Sequence, residues 1–594
     1  MRRPLFAVAA LAAVFVQGAA LPARADEPRA RIEGDLAQDL KLAIAQAVGR
    51  TDKAVENRFE ARRRARAAAE DAIAVLRAEG YYAYEVEPDV GEGDRPAALV
   101  RIKPGPRFSI ADARIDWGER PPAAETRQVA EKAMGLINGA PGRAADVIGA
   151  EGAVVSTVQK QGYADVTAAP REVVVDHADT SVRPTFRIVA GDLVRLDGVE
   201  IVNPGRTRRA WLAALAPWKA GDPYDPQDVA ELERRLLDTG VYDSVTVALA
   251  PREKTNAEGL RPIVVSLADR QPRSIELGAS YATSEGLGLD ARWTRYNIMG
   301  RADTLAFIGR LSNVDSRLGT ELTLPHWRRP QQTLKLGAAA YVTNTDAYNE
   351  TGVGVRADLQ RRFGKTSYVT YGTTLDFSRT EELRDIVLTS LGRDLVTAAA
   401  FAGLVLDRSD DPLDPKRGWR VQGQVEPTML LGDENLPYLK VQAQGSAYLP
   451  IGEGARTVVA GRLKLGLIAG GSIPQVPASR RFYSGGGGSV RGYAYQAIGP
   501  RLSDNTPQGG LSLIEASLEV RQKVTQRWGA VAFVDAGAIG ADQFPKGEDL
   551  SLGAGVGVRY DLGFGPIRFD LAVPLDRRRG DPKFQIYLSI GQSF

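Results

Sequence analysis

The sequence predicts a transmembrane antiparallel β-barrel of about 16 strands, preceded by three small α+β domains. Three observations carry that expectation. An apolar leader opens the chain, one pattern recurs three times before residue 271, and period-2 alternation runs from about residue 273 to the end. At 594 residues the chain is too long for a single core, so several domains are expected.

The leader comes first. Arg2 and Arg3 precede an apolar run from Leu5 to Val16, and Ala23-Arg24-Ala25 is a small-x-small cleavage site. Residues 1–25 are therefore read as a signal peptide, with the mature chain starting near Asp26. The run is too short to span a bilayer, and no later stretch supplies 18 apolar residues.

The threefold pattern follows. Each copy has an amphipathic helix, then Gly with Tyr close behind, then strand-like runs. Gly80-Tyr81, Gly162-Tyr163 and Gly240-Val241-Tyr242 mark the junctions, about 80 residues apart, which is a small-domain period. Glycine suits the left-handed position that ends a helix. Strands are expected at Ala98 to Ile102, Thr185 to Val189 and Ile263 to Leu267. In the third copy Asp225 and Pro226 start a helix whose Val229, Leu232 and Leu236 share one face. The copies are placed at 26–105, 106–191 and 192–271, and the barrel at 272–594. Only a few residues separate Asp269 from Arg273, so the third copy is expected against the barrel's mouth, with Asp243 and Ser244 near its turns.

Alternation then takes over. Ile514, Ala516, Leu518 and Val520 oppose Glu515, Ser517, Glu519 and Arg521; Leu439 to Leu449 and Trp419 to Val425 repeat the scheme. A soluble sandwich alternates too. The leader, the number of strands and a terminal strand ending in Phe594 favour a membrane barrel. Hydrocarbon tolerates strands only in a closed sheet, and the inward charges then imply a wet lumen.

Composition excludes much. Lys plus Arg (76) nearly balance Asp plus Glu (73), which leaves no nucleic-acid footprint. There is no cysteine, and His177 and His326 are the only histidines, so neither a metal centre nor a cofactor is expected. His177 reads as exposed, His326 as a turn or interface position, and Arg62-Arg63-Arg64 with Arg66 as a solvated helix face. Gly485 to Gly488 lacks the Lys-Ser/Thr of a phosphate loop. No nucleophile, base and oxyanion set can be assembled, so enzymatic activity is not expected.

The segment Arg481-Phe482-Tyr483-Ser484-Gly485-Gly486-Gly487-Gly488-Ser489-Val490-Arg491-Gly492-Tyr493 is more specific. It resembles the sixth-loop signature of the outer-membrane insertase superfamily, whose 16-strand barrels follow periplasmic POTRA domains. Phe533-Val534-Asp535-Ala536-Gly537 is similar to the family's second barrel motif, and Asp411 to Gly418 to a common turn. The resemblance is strongest to the TamA branch, with three POTRA domains; the BamA branch usually has five, and two-partner secretion transporters have two. It implies that Val490, Arg491, Gly492 and Tyr493 form a lumen latch, with Asp535 and Glu519 as partners of Arg491. On the residues alone, Arg491 in a solvated loop and Glu519 lining water is the plainer arrangement.

The resemblance further implies an outer-membrane assembly factor with its POTRA domains in the periplasm. Client outer-membrane proteins such as autotransporters would be inserted through a lateral seam. Ile275, Leu277 and Tyr281 of the first barrel strand and Gly591 and Phe594 of the last flank that seam. The implied partner is an inner-membrane-anchored TamB-like protein, with a part in lipid transport between the membranes. A general BamA-like insertase and a passive secretion pore are the alternatives.

Overall fold

The computed structural model describes residues 27–91, 96–364, 366–384, 389–546, 550–563, 566–578 and 580–590. The leader, Gly591 and Phe594 lie outside them. The chain forms two compact units. The first runs to Asp197 and adds Trp218–Val229 and Ala250–Pro262; the second holds Gly198–Pro217, Ala230–Leu249 and everything from Ile263.

Two α+β segments make up most of the first unit. One comprises β1 (Glu27–Pro28), β2 (Arg31–Glu33), α1 (Gln38–Val48), β3 (Arg50–Thr51), α2 (Arg58–Ala78), β4 (Glu85–Val90) and β5 (Ala98–Lys103). Its sheet order is β2-β5-β4, and Leu40, Ile44, Leu76, Val100 and Ile102 meet in its core. Asn57 caps α2 by accepting from the Glu60 N–H. Arg62, Arg63 and Arg66 lie on its exposed face.

The next segment holds β6 (Ser109–Ile110), β7 (Arg114–Asp116), α3 (Ala124–Met134), α4 (Ala144–Lys160), β8 (Thr167–Ala168), β9 (Glu172–Asp176) and β10 (Ser181–Val189). Here β10 is central, and Phe108, Val154, Val158 and Phe186 form the core. His177 is exposed, its ring edge-on to Phe108.

A third segment contributes to both units: β11 (Arg195–Asn203), α5 (Arg209–Ala213), α6 (Pro226–Leu237), β12 (Tyr242–Leu249) and β13 (Leu260–Asp269), with sheet order β11-β13-β12. Val229, Leu232 and Leu236 of α6 are each buried, as their spacing on one face requires. Gly80, Gly162 and Gly240 all have positive φ (89°, 96° and 70°), which ends each helix at no steric cost.

The rest of the second unit is a closed antiparallel barrel of sixteen strands. They are β14 (Arg273–Ala282), β15 (Gly286–Tyr296), β16 (Thr304–Ser312), β17 (Asp315–Leu324), β18 (Gln332–Asn344), β19 (Tyr348–Arg362), β20 (Tyr368–Arg384) and β21 (Thr389–Asp407). Then come β22 (Gly418–Gly432), β23 (Leu436–Ile451), β24 (Thr457–Ala469), β25 (Ser512–Lys523), β26 (Trp528–Gly540), β27 (Ser551–Asp561), β28 (Pro566–Pro574) and β29 (Gln585–Ile590). Outward positions such as Ile514, Leu518 and Val520 are exposed and apolar, while Glu515 and Glu519 between them are buried. That is the pattern of a sheet with lipid outside and a polar interior.

Closure is uneven. β14 pairs with β15 along its whole length, from Arg273 to Ala282. With β29, among the described residues, it pairs through Tyr281↔Leu588 and Ala282↔Tyr587.

Candidate functional site: the lumen loop and the barrel seam

Between β24 and β25 the chain leaves the wall for some forty residues and, apart from a 3-10 turn at Ala478–Arg480, forms no regular element. A loop this long is held by its side chains rather than by a backbone ladder. Two groups of charges hold it.

The first group surrounds Arg491, which is only 1% exposed. Its Nε and Nη2 donate to the two oxygens of Asp535 at 2.7 and 2.8 Å, the forked geometry that suits guanidinium and carboxylate. Its backbone N–H also donates to Asp535, at 3.0 Å. Nη1 lies 2.7 Å from Glu519 and 3.5 Å from Asp570. The guanidinium carbon sits 3.4 Å from the centre of the Phe533 ring. Arg559 and Arg568 also meet Asp570, at 2.5 and 3.3 Å, and Arg521 meets Glu519 at 2.9 Å.

Glu519, Asp535 and Asp570 are all fully buried. Charge on this wall therefore does not line an open aqueous lumen, as its polarity alone suggests; the loop covers it. Desolvated carboxylates are tolerable here because each faces a guanidinium at hydrogen-bond or ion-pair distance.

The neighbours of Arg491 place it. Val490 is buried among Leu513, Ile539 and Tyr493. Gly492 has φ 102°, and a Cβ there would lie 2.6 Å from the Val573 carbonyl carbon. Gly553 is equally constrained, since its Cβ would stand 2.0 Å from the Arg491 carbonyl oxygen. The motif thus lies backbone against backbone on β27 and β28, which only glycine permits. Tyr493 donates its hydroxyl to the Leu552 carbonyl at 3.0 Å. Tyr587 of β29 accepts from the Gly492 N–H at 3.1 Å and donates to the Tyr493 carbonyl at 3.4 Å.

The second group lies on β20 and β21, and the sequence reading missed it. Arg481 donates to Glu382 at 2.7 Å and to the carbonyls of Val476 and Gln508 at 2.8 and 2.9 Å. Arg393 also meets Glu382. Arg480 reaches Asp376 at 2.8 Å, and Lys440 donates to the Arg480 carbonyl at 2.9 Å. Asp570 was missed as well. Its signal is the alternation of β28, where Arg568 and Asp570 share a face opposite Phe569 and Leu571.

At the seam, Ile275 and Leu277 are 71% and 80% exposed on the outer face of β14, and Tyr281 is exposed beside its partner Leu588. Glu285, just past β14, accepts from the Gly487 N–H at 3.3 Å. The loop therefore touches both sides of the seam, through Glu285 and Tyr587.

Within the second unit, residues of the third segment bond the barrel's turns. Asn297 donates to Thr207 at 2.7 Å, and the Arg208 N–H to the Gly300 carbonyl at 2.9 Å. Gln331 donates to Glu231 at 2.8 Å, and Arg362 meets Asp238 at 2.6 Å. His326, on a turn with φ 52°, joins them through the Arg235 carbonyl at 2.9 Å. These contacts use Thr207, Arg208 and α6 rather than the expected Asp243 and Ser244; Asp243 faces Arg270 at 3.6 Å. Among the described residues no group of His, Asp and Glu is placed to hold a metal ion.

Known proteins share this architecture. The chain is 22% identical over 528 residues to the outer membrane protein assembly factor BamA of Neorickettsia risticii, covering 84% of this chain and 68% of that one. It is 20% identical to BamA of Neisseria meningitidis serogroup B, covering 81% and 67%. It thus spans about two thirds of each relative's length. Among solved structures, BamA from Haemophilus ducreyi lacking POTRA domains 1–3 superposes with a TM-score of 0.65 at 18% identity, over 81% of this chain and all of that one. Residues 297–594, half of the sequence, match the Omp85 superfamily domain, and the chain belongs to that superfamily.

Proposed function

We propose that this protein is an outer-membrane assembly factor that inserts or translocates client β-barrel proteins through the seam between β14 and β29. The observation that carries the reading is the short closure of the barrel. Below Tyr281 the backbone edge of β14 has no partner strand on the β29 side among the described residues. An unpaired edge is a template for an incoming strand, and backbone pairing is tolerant of sequence. The α+β segments are placed in the periplasm, where their sheet edges would receive clients or a partner in the same way. With three such segments the reading favours the TamA branch, and with it an inner-membrane-anchored TamB-like partner. The two-sided anchoring of the lumen loop argues against a passive pore.

The chain has no cysteine, so one engineered pair tests the seam cleanly. Tyr281→Cys with Leu588→Cys places thiols at directly opposed positions. In liposomes, the oxidised protein is expected to lose client insertion, and reductant to restore it. An oxidised protein that inserts clients at the parent rate would defeat the reading.

A further inference from the structure

We propose that the lipid-facing side of the barrel, at the rim where β14 begins and β15 ends, binds one phospholipid, with Arg273 and Arg295 clasping its phosphodiester headgroup and its acyl chains lying along Ile275, Leu277, Trp293 and Phe307. The proposal rests on the barrel spanning a bilayer, as above, but not on the seam admitting clients.

Arg273 and Arg295 are direct cross-strand partners on β14 and β15. Like charges placed opposite each other destabilise a sheet unless something sits between them. Both are exposed, and among the described residues neither has a carboxylate partner. Together with Arg206, Tyr296 and Ile298 they line a cavity of about 670 Å³ whose wall contains no acidic residue. Arg206 is already engaged by Asp269 at 3.3 Å, and Arg270, which stacks over Tyr296 at 5.6 Å, by Asp243 at 3.6 Å, so Arg273 and Arg295 carry the cavity's available positive charge. The cavity is thus an anion site, and paired guanidinium forks suit a phosphate's oxygens.

The surroundings point to a lipid. Register places Ile275 beside Trp293 and Trp293 beside Phe307, on the same outer face as the two arginines. The rings of Trp293 and Phe307 lie 5.5 Å apart. Along β14, Ile275 and Leu277 stand roughly 7 and 14 Å from Arg273 at the usual strand rise. A cationic pair at the rim with an apolar stripe running away from it has the layout of a headgroup above its chains.

The test is native mass spectrometry of the full chain in detergent with phosphatidylglycerol, diacylglycerol or inorganic phosphate added. The parent is expected to retain one phosphatidylglycerol and no diacylglycerol. Arg273→Gln with Arg295→Gln should lower retention about tenfold or more, since each basic group near an anionic headgroup contributes appreciably. Arg273→Lys with Arg295→Lys should retain an intermediate amount. Leu277→Ser, which leaves the charge untouched, should also lower retention. Heat-modifiable gel mobility checks that each barrel is folded. Retention unchanged in the Gln pair overturns the proposal. So does displacement of the lipid by inorganic phosphate, which would mark a free-phosphate site, or by a peptide ending in a Phe carboxylate, which would mark a client-segment site. A failed seam-disulfide result leaves this readout intact, so the two readings fail separately.

Discussion

Tyr587 on the last strand and Gly492 in the lumen loop share a hydrogen bond of 3.1 Å, in which the phenol oxygen accepts the glycine N–H. Tyr587 also pairs with Ala282 of β14, so one side chain stands where the loop and both seam strands meet. Tyr587→Phe keeps the ring and strands a buried N–H, a loss of about 1–3 kcal/mol. The seam should then open more readily. Oxidation of the Tyr281→Cys and Leu588→Cys pair should slow about fivefold or more relative to the same pair beside Tyr587. An unchanged rate would show that loop and seam are uncoupled.

Arg491 carries the heaviest electrostatic burden. Arg491→Ala leaves Glu519, Asp535 and Asp570 buried without their shared cation, and breaking such a shielded pair costs roughly 3–5 kcal/mol. A lower heat-modification midpoint and lost client assembly are expected. Arg491→Lys should recover part of this, because an ammonium cannot make the forked contact to Asp535. Asp535→Asn should behave like Arg491→Ala, and combining the two should be less than additive. If all of these variants melt and assemble clients like the parent, the loop is not a latch.

Much of this arrangement was legible in the sequence, for identifiable reasons. Period-2 alternation locates the barrel because lipid and lumen impose opposite demands on successive residues, and Glu519 falls on the inner face by that rule alone. Asp535 is harder. It follows Phe533 and Val534 in a strand with little polar contrast, and only the family motif singled it out. Glu382 and Arg481 were invisible because their contact joins residues 99 apart, and no local pattern encodes which wall a long loop leans on. The short closure at Tyr281 and Ala282 is a property of register between the barrel's two ends, which no window of sequence contains.

Glu382 tests the second anchor. It stands between Arg393 and Arg481, so Glu382→Gln leaves two buried guanidinium groups facing each other. The stretch around Arg481 should loosen from β20 and β21 while Arg480 stays on Asp376 and Arg491 stays bound. Trypsin offers a direct readout, since Arg481 is buried in the parent. Cleavage after Arg481 should appear in the variant and be absent from the parent under the same conditions. Equal resistance in both proteins would show that this anchor is dispensable.

His326 makes the contact between α6 and the β17–β18 turn sensitive to pH. Its Nδ1 accepts the Gln331 N–H at 3.0 Å, so the proton sits on Nε2, which donates to the Arg235 carbonyl at 2.9 Å. A second proton would have to enter at Nδ1, where an N–H already points. Burial holds its pKa below the ordinary 6.5; the Arg235 carbonyl bond and Asp238 oppose this, while Arg235 and Arg362 reinforce it. A group whose folded pKa is depressed stabilises the fold above its unfolded value and loses that contribution as pH falls below it. The contact should therefore be intact at pH 7 and loosen below about 6.5. Hydrogen exchange in the peptide spanning the turn, corrected for the intrinsic pH dependence, should rise over that range. Glu231, which accepts from Gln331 in the same contact, has its own pKa lowered by Arg235 and Arg234 despite burial, so its titration belongs at lower pH. His326→Asn tolerates the positive φ and cannot titrate, so it should abolish the step. A step of the same size in that variant would assign the pH response to a carboxylate instead.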